Sequence, residues 1–419
     1  MRRHRALAMA CAVLLAACSS SPPSSAPMAS PVASPSRTDR APTSAPAPTL
    51  EASPTPARSL PPSTVFTSWK AIEMPIAVKG IYGGNIPDDV VVFNDRLIAV
   101  GGVNGGCCDG GFSRQTQALV WTSRDGAEWR LAPDSAVFDL GHMRAVAATE
   151  ADIVVVGTLN LKSVEFPGSA DPTPAVWNSD DGQHWSVLRD VPRFVDIAAG
   201  PAGFIAAAQT DEGAEVWTSA SGRAWHRTAG PAELGPGGAL RLVAAGAGFL
   251  LLGTDPAMER AIVWRSEDGA TWDRAPNQEA LDGAWLEDGA AIGGRLVVVG
   301  WNDEAPPMAW TSEDGMTWQA AGDVFGVESG VLAEAIVVNG TLLVTGFDDG
   351  AADAKPASMA FWTSNDGVSW QVVPHRPRGS GRIHEINDWV VFGDGVVAVG
   401  RADPRQAGEI VGPGAWLIR

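Results

Sequence analysis

Three arginines and three glutamates carry most of the chemistry available to this sequence. Arg144-Ala145-Val146, Arg193-Phe194-Val195 and Arg241-Leu242-Val243 each begin a short apolar run. Glu287, Glu334 and Glu385 stand near the starts of later runs, and Asp88 and Asp89 near an earlier one. Guanidinium groups held side by side grip a carboxylate or phosphate through paired N–H donors. Aligned on one rim, these residues predict an anionic or zwitterionic ligand held across a mouth that is basic on one side and acidic on the other. The competing reading is that they pair with one another and with solvent, as rim ion-pair networks do.

A second cluster is Gly105-Gly106-Cys107-Cys108-Asp109-Gly110-Gly111. Outside the cytoplasm the two thiols are expected to form a disulfide between neighbours. Adjacent Cα atoms lie ~3.8 Å apart, short of the usual ~4.4–6.8 Å, so the bond would be strained and reducible. It reads as a loop staple, with a hydrophobic knuckle against a ligand as the alternative. The remaining chemistry is sparse. No Gly-x-Ser-x-Gly, His-Glu-x-x-His or P-loop pattern occurs. His142, His184, His226, His375 and His384 show no metal-ligand spacing. Asp348-Asp349-Gly350 with Asp353 is too short for an EF-hand calcium loop. No metal or cofactor is expected.

Groups of this kind need a scaffold, and here the scaffold repeats. Trp121 to Trp129 encloses Thr122-Ser123-Arg124-Asp125-Gly126, and the same design recurs at Trp177–Trp185, Trp217–Trp225, Trp264–Trp272, Trp310–Trp318 and Trp362–Trp370. A supersecondary unit recurring every 40 to 56 residues signals a repeat architecture. Within each copy Asp can accept backbone amides just ahead, and Gly takes positive φ without steric cost. Each copy therefore predicts a β-hairpin with a tryptophan on each arm, able to wedge between sheets. Ser221 replaces the Asp in the third copy, which should be the weakest turn.

The boxes resemble the Asp-box of sialidase-type β-propellers, Ser-x-Asp-x-Gly-x-Thr-Trp. They are one residue shorter between Asp and Gly, and Thr271 and Thr317 alone match the box threonine. The resemblance extends from about Ser63 to Arg419 and implies a propeller. Sialidases of this type use three arginines, a Tyr/Glu nucleophile pair and an Asp acid. Tyr82, the one tyrosine, with Glu287 or Glu334 would be the catalytic set that the resemblance implies. Asn85-Ile86-Pro87 has Asn where the family's Arg-Ile-Pro has its first arginine.

The blades can be counted. Between boxes the pattern runs strand, turn, strand, variable loop, hairpin, with middle strands at Leu97 to Gly101, Asp152 to Gly157, Phe204 to Ala208, Phe249 to Gly253, Leu296 to Gly300, Leu342 to Gly346 and Val396 to Gly400. Seven middle strands face six boxes. Gly414-Ala415-Trp416-Leu417-Ile418-Arg419 reads as the first arm of a seventh hairpin, and Thr67-Ser68-Trp69-Lys70-Ala71-Ile72 as a second arm lacking its first. Pairing them yields an all-β, seven-bladed propeller of four-stranded blades, closed so that no strand edge is left over. Fourteen of the 17 tryptophans fill the paired slots, leaving Trp285, Trp301 and Trp389. The long loops 103–117, 160–173, 301–306, 348–358 and 401–411 would share one face with the channel mouth, where binding usually resides.

Ahead of the propeller, Arg2, Arg3 and Arg5 precede apolar Ala6 to Leu15 and then Leu15-Ala16-Ala17-Cys18. This is an export signal, and Leu-Ala-Ala-Cys resembles the bacterial lipobox, which implies cleavage of residues 1–17 and acylation of Cys18. Residues 18–62 are mostly Ser, Pro, Ala and Thr, a tether reaching up to ~120 Å at ~3 Å per residue. Loss of residues 1–17 removes three arginines and takes the formal charge from −18 to −21. Such a surface argues against nucleic acid or an anionic membrane face as partner. After residue 18 no uncharged apolar run reaches the ~18 residues of a spanning helix.

The sequence thus predicts a monomeric, exported propeller, held to the outer face of a bacterial membrane by its lipid alone, that binds a glycan, an envelope polymer or a protein without catalysis. A sialidase-like exo-glycosidase and an assembly factor for envelope proteins are the alternatives.

Overall fold

The computed structural model describes residues 66, 68–77, 85–103, 117–133, 135–159, 172–302, 308–321, 330–348, 358–373, 383–402 and 412–419. Tyr82, Cys18, Cys107 and Cys108 lie outside the described residues, as do residues 1–62 and much of the long loops. The described chain forms seven four-stranded antiparallel sheets. Blade 1 comprises Asn85–Phe93, Arg96–Val103, Ala118–Ser123 and Trp129–Leu131. Blades 2 to 7 begin with the innermost strands His142–Ala148, Phe194–Gly200, Gly238–Ala245, Ala284–Ile292, Gly330–Val338 and Ile383–Phe392.

Blade 7 takes its outermost strand from the other end of the chain. Trp69–Glu73 lies antiparallel to Gly412–Ile418, with Trp69 opposite Ile418 and Ala71 opposite Trp416. The ring is closed by this pairing, as the two unmatched half-hairpins required.

Seven hydrophobic clusters fill the seven junctions between blades. Trp264 sits in the junction of blades 3 and 4, Trp177 in 1 and 2, Trp310 in 4 and 5, Trp121 in 7 and 1, Trp362 in 5 and 6, and Trp416 in 6 and 7. All six are fully buried. At ~25 cal/mol per Å2, burying the 150–250 Å2 of one indole is worth about 4–6 kcal/mol. The indole N–H groups are satisfied as well: Trp121, Trp177, Trp264 and Trp310 donate to the carbonyls of Pro75, Val137, Leu234 and Ala280 in the chain entering their blade.

The box turns behave as their chemistry demands. In five of them the Asp Oδ1 accepts the N–H groups two and three residues on, as Asp314 does from Met316 and Thr317 at 2.8 and 2.7 Å. The box Ser Oγ accepts the Gly N–H, and Gly315 has φ +73°. Blade 3 departs from the pattern. Its turn keeps the Ser219–Gly222 bond and the Trp225 Nε1–H bond to the Gly222 carbonyl but lacks the carboxylate bonds to the amides ahead, and its wedge Trp217 is half-buried, donating to Glu215 Oε2.

Candidate functional site

The channel is lined by the seven innermost strands, and each carries a β-bulge near its start. A bulge puts two residues opposite one and re-aims the side chains beyond it. The first residue past the bulge is Asp89, Ala145, Asp196, Arg241, Asp288, Glu334 and Asp388 in blades 1 to 7. These seven form a ring. Each lies twelve positions before a glycine or alanine of the middle strand, as Asp288 does before Gly300.

The bulge also explains these glycines of the middle strands. A Cβ on Gly101, Gly253 or Gly300 would lie 1.9 Å from the carbonyl oxygen of Ile86, Gly238 or Trp285. The innermost backbone passes too close for any side chain. Blade 3 has Ala208 there, and its neighbouring Gln209 N–H reaches the Arg193 carbonyl only at 3.4 Å.

An innermost strand is a sheet edge, whose unpaired N–H groups need partners. The ring carboxylates supply them from the preceding blade. Asp89 Oδ2 accepts the Val146 N–H (2.7 Å), Asp196 Oδ2 the Leu242 N–H (2.8 Å), Asp288 Oδ2 the Ala335 N–H (2.9 Å) and Asp388 Oδ2 the Val90 N–H (2.9 Å). Four junctions are stitched this way. The Val90 N–H is shared with Asp89 Oδ1 at 2.6 Å, which brings the Asp89 and Asp388 carboxyls together.

Arg241 is the ring's single cation. Its Nη2 lies 2.7 Å from Glu334 Oε2, and its Nε lies 3.8 Å from both Asp196 and Asp288. Burial pushes the Asp196 carboxyl up to about 6 despite Arg241. Burial likewise raises Asp288, Glu334 and Asp388, while Glu334 holds the Arg241 guanidinium further above its ordinary value. The polar groups of the ring are thus spent on amides and on one another.

This corrects the alignment drawn from sequence. Arg144, Arg193 and Arg241 are not equivalent: Arg241 is in the ring, Arg144 is the bulged residue one step before it, and Arg193 lies three steps before it. Arg144 and Arg193 are exposed and form no ion pair among the described residues. The glutamates scatter in the same way, with Glu334 in the ring, Glu287 one step before and Glu385 three steps before, where it pairs with Arg401 Nε at 3.3 Å. The mouth is therefore not split into a basic and an acidic half; it is an acidic ring around one paired guanidinium. Asp88 meets His142 Nε2 at 2.6 Å. Asn85, placed where the sialidase pattern has arginine, accepts the Ala77 N–H. Among the described residues no cluster of His, Cys, Asp or Glu is arranged to hold a metal ion. A hollow of about 230 Å3 beside Phe138 contains none of these groups.

Above the ring, three residues before it, the seven innermost strands present a rim. In blades 1, 2 and 4 to 7 the rim residue and its cross-strand partner are Ile86/Gly102, His142/Thr158, Gly238/Thr254, Trp285/Trp301, Val331/Phe347 and Glu385/Arg401; blade 3 has Arg193 beside Gln209. No two are alike. Sequence reasoning missed Asp196, Asp288 and Asp388 and gave Trp285 and Trp301 no role.

No family model matches the chain, and no curated protein matches it in sequence. Solved structures do resemble it. YCF48 bound to a D1 peptide superposes with a TM-score of 0.53 at 15% identity, covering 84% of this chain and 94% of that one. The GH74 xyloglucanase from Xanthomonas campestris gives 0.49 at 15%, covering 83% of this chain and 55% of that one. The Trypanosoma rangeli sialidase in complex with sialic acid gives 0.46 at 10%, covering 84% and 59%. At these identities the likeness is one of fold.

Proposed function

We propose that the chain is a lipid-anchored, extracytoplasmic binding propeller that takes an extended polypeptide across its loop face at the channel mouth. The observation that carries this reading is the contrast between ring and rim. Five of the seven ring residues are carboxylates, and the ring's charges are consumed in joining blades and in holding Arg241, whereas the rim differs in every blade. Uniform residues hold a scaffold and variable ones at loop ends meet ligands. Among the described residues the anion clamp of a sialidase-type reaction has no counterpart, because the one guanidinium in the ring, Arg241, is already held by Glu334. YCF48, of similar fold, is known bound to a peptide, which favours a polypeptide over a glycan or envelope polymer. The anchor rests on Leu15-Ala16-Ala17-Cys18 and the tether on the composition of residues 19–62.

The test is selection on the full chain, in detergent, against a displayed random-peptide library, a glycan array and fluorogenic sialosides in parallel. Peptides should be enriched, and charge reversal at exposed Arg144 and Arg193 should change which ones. Turnover of a sialoside that Tyr82→Phe abolishes, or enrichment of glycans alone, would overturn the proposal.

A further inference from the structure

Of the three tryptophans outside the hairpin slots, Trp389 is buried in the junction of blades 6 and 7. The other two are not core residues. Trp285 and Trp301 are cross-strand partners on the rim of blade 5, both half-buried, with rings stacked at 5.4 Å between centroids and 5° between planes. Ring stacking at this spacing holds two large π-faces rigid before any ligand arrives. Trp301 and Trp285 share their sheet face with Val297 and Val299, which pack toward blade 6.

Beside them stands Glu287, the bulged residue of blade 5, whose Oε1 accepts the Trp301 Nε1–H at 3.1 Å. Its counterpart in blade 1, Asp88, is met by His142, and Asn387 in blade 7 donates to the Pro87 carbonyl. Glu287 has no lysine, arginine or histidine within ion-pair distance among the described residues. Arg241 acts on it only at longer range. A rigid indole platform with an adjoining, cation-free carboxylate in a chain of net charge −18 is a site for a positive group.

We propose that Trp285, Trp301 and Glu287 form a subsite for a basic side chain, lysine or arginine, of a bound polypeptide. The ligand's cation lies over an indole face with its N–H groups toward Glu287. The subsite rests on the polypeptide reading above and deepens it. A pyranose ring also stacks on tryptophan, but a sugar would leave the carboxylate without an opposite charge, which is why the cation is favoured.

The experiment is titration of the full chain in detergent with N-acetyl-tetralysine amide, with its side-chain-acetylated form and with cellotetraose, followed by calorimetry. Tetralysine should bind, and Trp301→Ala and Glu287→Gln should each weaken it about tenfold. Trp301→Phe, which keeps an aromatic face and spares the fold, should weaken it only about threefold. Acetylated tetralysine and cellotetraose should not bind. Equal tetralysine binding by all variants would mean bulk charge attraction and overturn the subsite, as would no binding at all, or cellotetraose binding that the variants lose. Library peptides whose binding ignores these substitutions would sink the subsite and leave the binding function standing; tetralysine binding with no peptide selected would do the reverse.

Discussion

Arg241 of blade 4 and Glu334 of blade 6 meet at 2.7 Å, spanning the width of blade 5 through the channel. Neither is adjacent in the ring, so their contact ties together blades that share no sheet-to-sheet junction. Asp196 and Asp288 flank the guanidinium from blades 3 and 5. Arg241→Met would leave three largely buried carboxyls without their cation. Breaking a fully buried pair costs ~3–5 kcal/mol. With a third of the guanidinium surface still open, about 2–4 kcal/mol is expected here. Urea unfolding at pH 7 measures it, and Glu334→Gln in the same background should recover part of the loss. An unchanged midpoint in the single variant would show that the ring does not depend on this pair.

Stability should peak in mild acid. Backbone N–H groups hold the box residues Asp268 and Asp314 down to about 2, so their contribution is complete above the ordinary 3.8 and is lost as pH falls toward 2. Asp196 runs the other way. Its folded form retains a proton up to about 6, so stability declines as pH rises from about 4 to about 6, by at most about 3 kcal/mol. Asp288, Glu334 and Asp388 are raised too and act with the same sign. Thermal midpoints should therefore be highest near pH 4–5, and Asp196→Asn should flatten the upper limb. A midpoint that climbs steadily to pH 7 would contradict this.

Gly300→Ala should be severe, because its methyl group would meet the Trp285 carbonyl at 1.9 Å. We expect a loss of more than about 3 kcal/mol, from overpacking against backbone that cannot move aside. Ala208→Gly in blade 3 is the contrast and should change stability by less than about 1 kcal/mol, since that bulge has already accommodated a side chain. Equal effects at the two sites, in paired denaturation curves, would remove the proposed steric reason for the glycines.

Ser221→Asp should repair the weak hairpin of blade 3. The five other boxes each gain two amide contacts from their aspartate, as at Asp181 with Gln183 and His184. A gain of about 0.5–1 kcal/mol in chemical denaturation is expected. No gain would mean that the half-buried Trp217, rather than the turn, limits this blade.

The architecture was readable because its signals are local. The Trp–Asp–Gly boxes, the positive-φ glycines and the leftover half-hairpins at Trp69 and Trp416 report turn chemistry and strand count without reference to distant contacts. The channel was not readable in the same way. A bulge shifts register by one, so Arg144, Arg193 and Arg241 look equivalent in apolar context yet occupy three different levels. The missing signal was present nonetheless: counting twelve residues back from Gly101, Gly300 or Gly400 lands on Asp89, Asp288 or Asp388. The Trp285–Trp301 stack was harder, because nothing in one strand says which residue faces it across the ladder.

The strand Trp69–Glu73 is synthesised hundreds of residues before Gly412–Ile418, the segment it must lie against. Until that later stretch has emerged, six blades can be assembled while the seventh has no place for its earliest piece. Completion is therefore an all-or-nothing event timed by the arrival of one strand, and a product cut short before it would be an open coil of sheets with two sticky flanks.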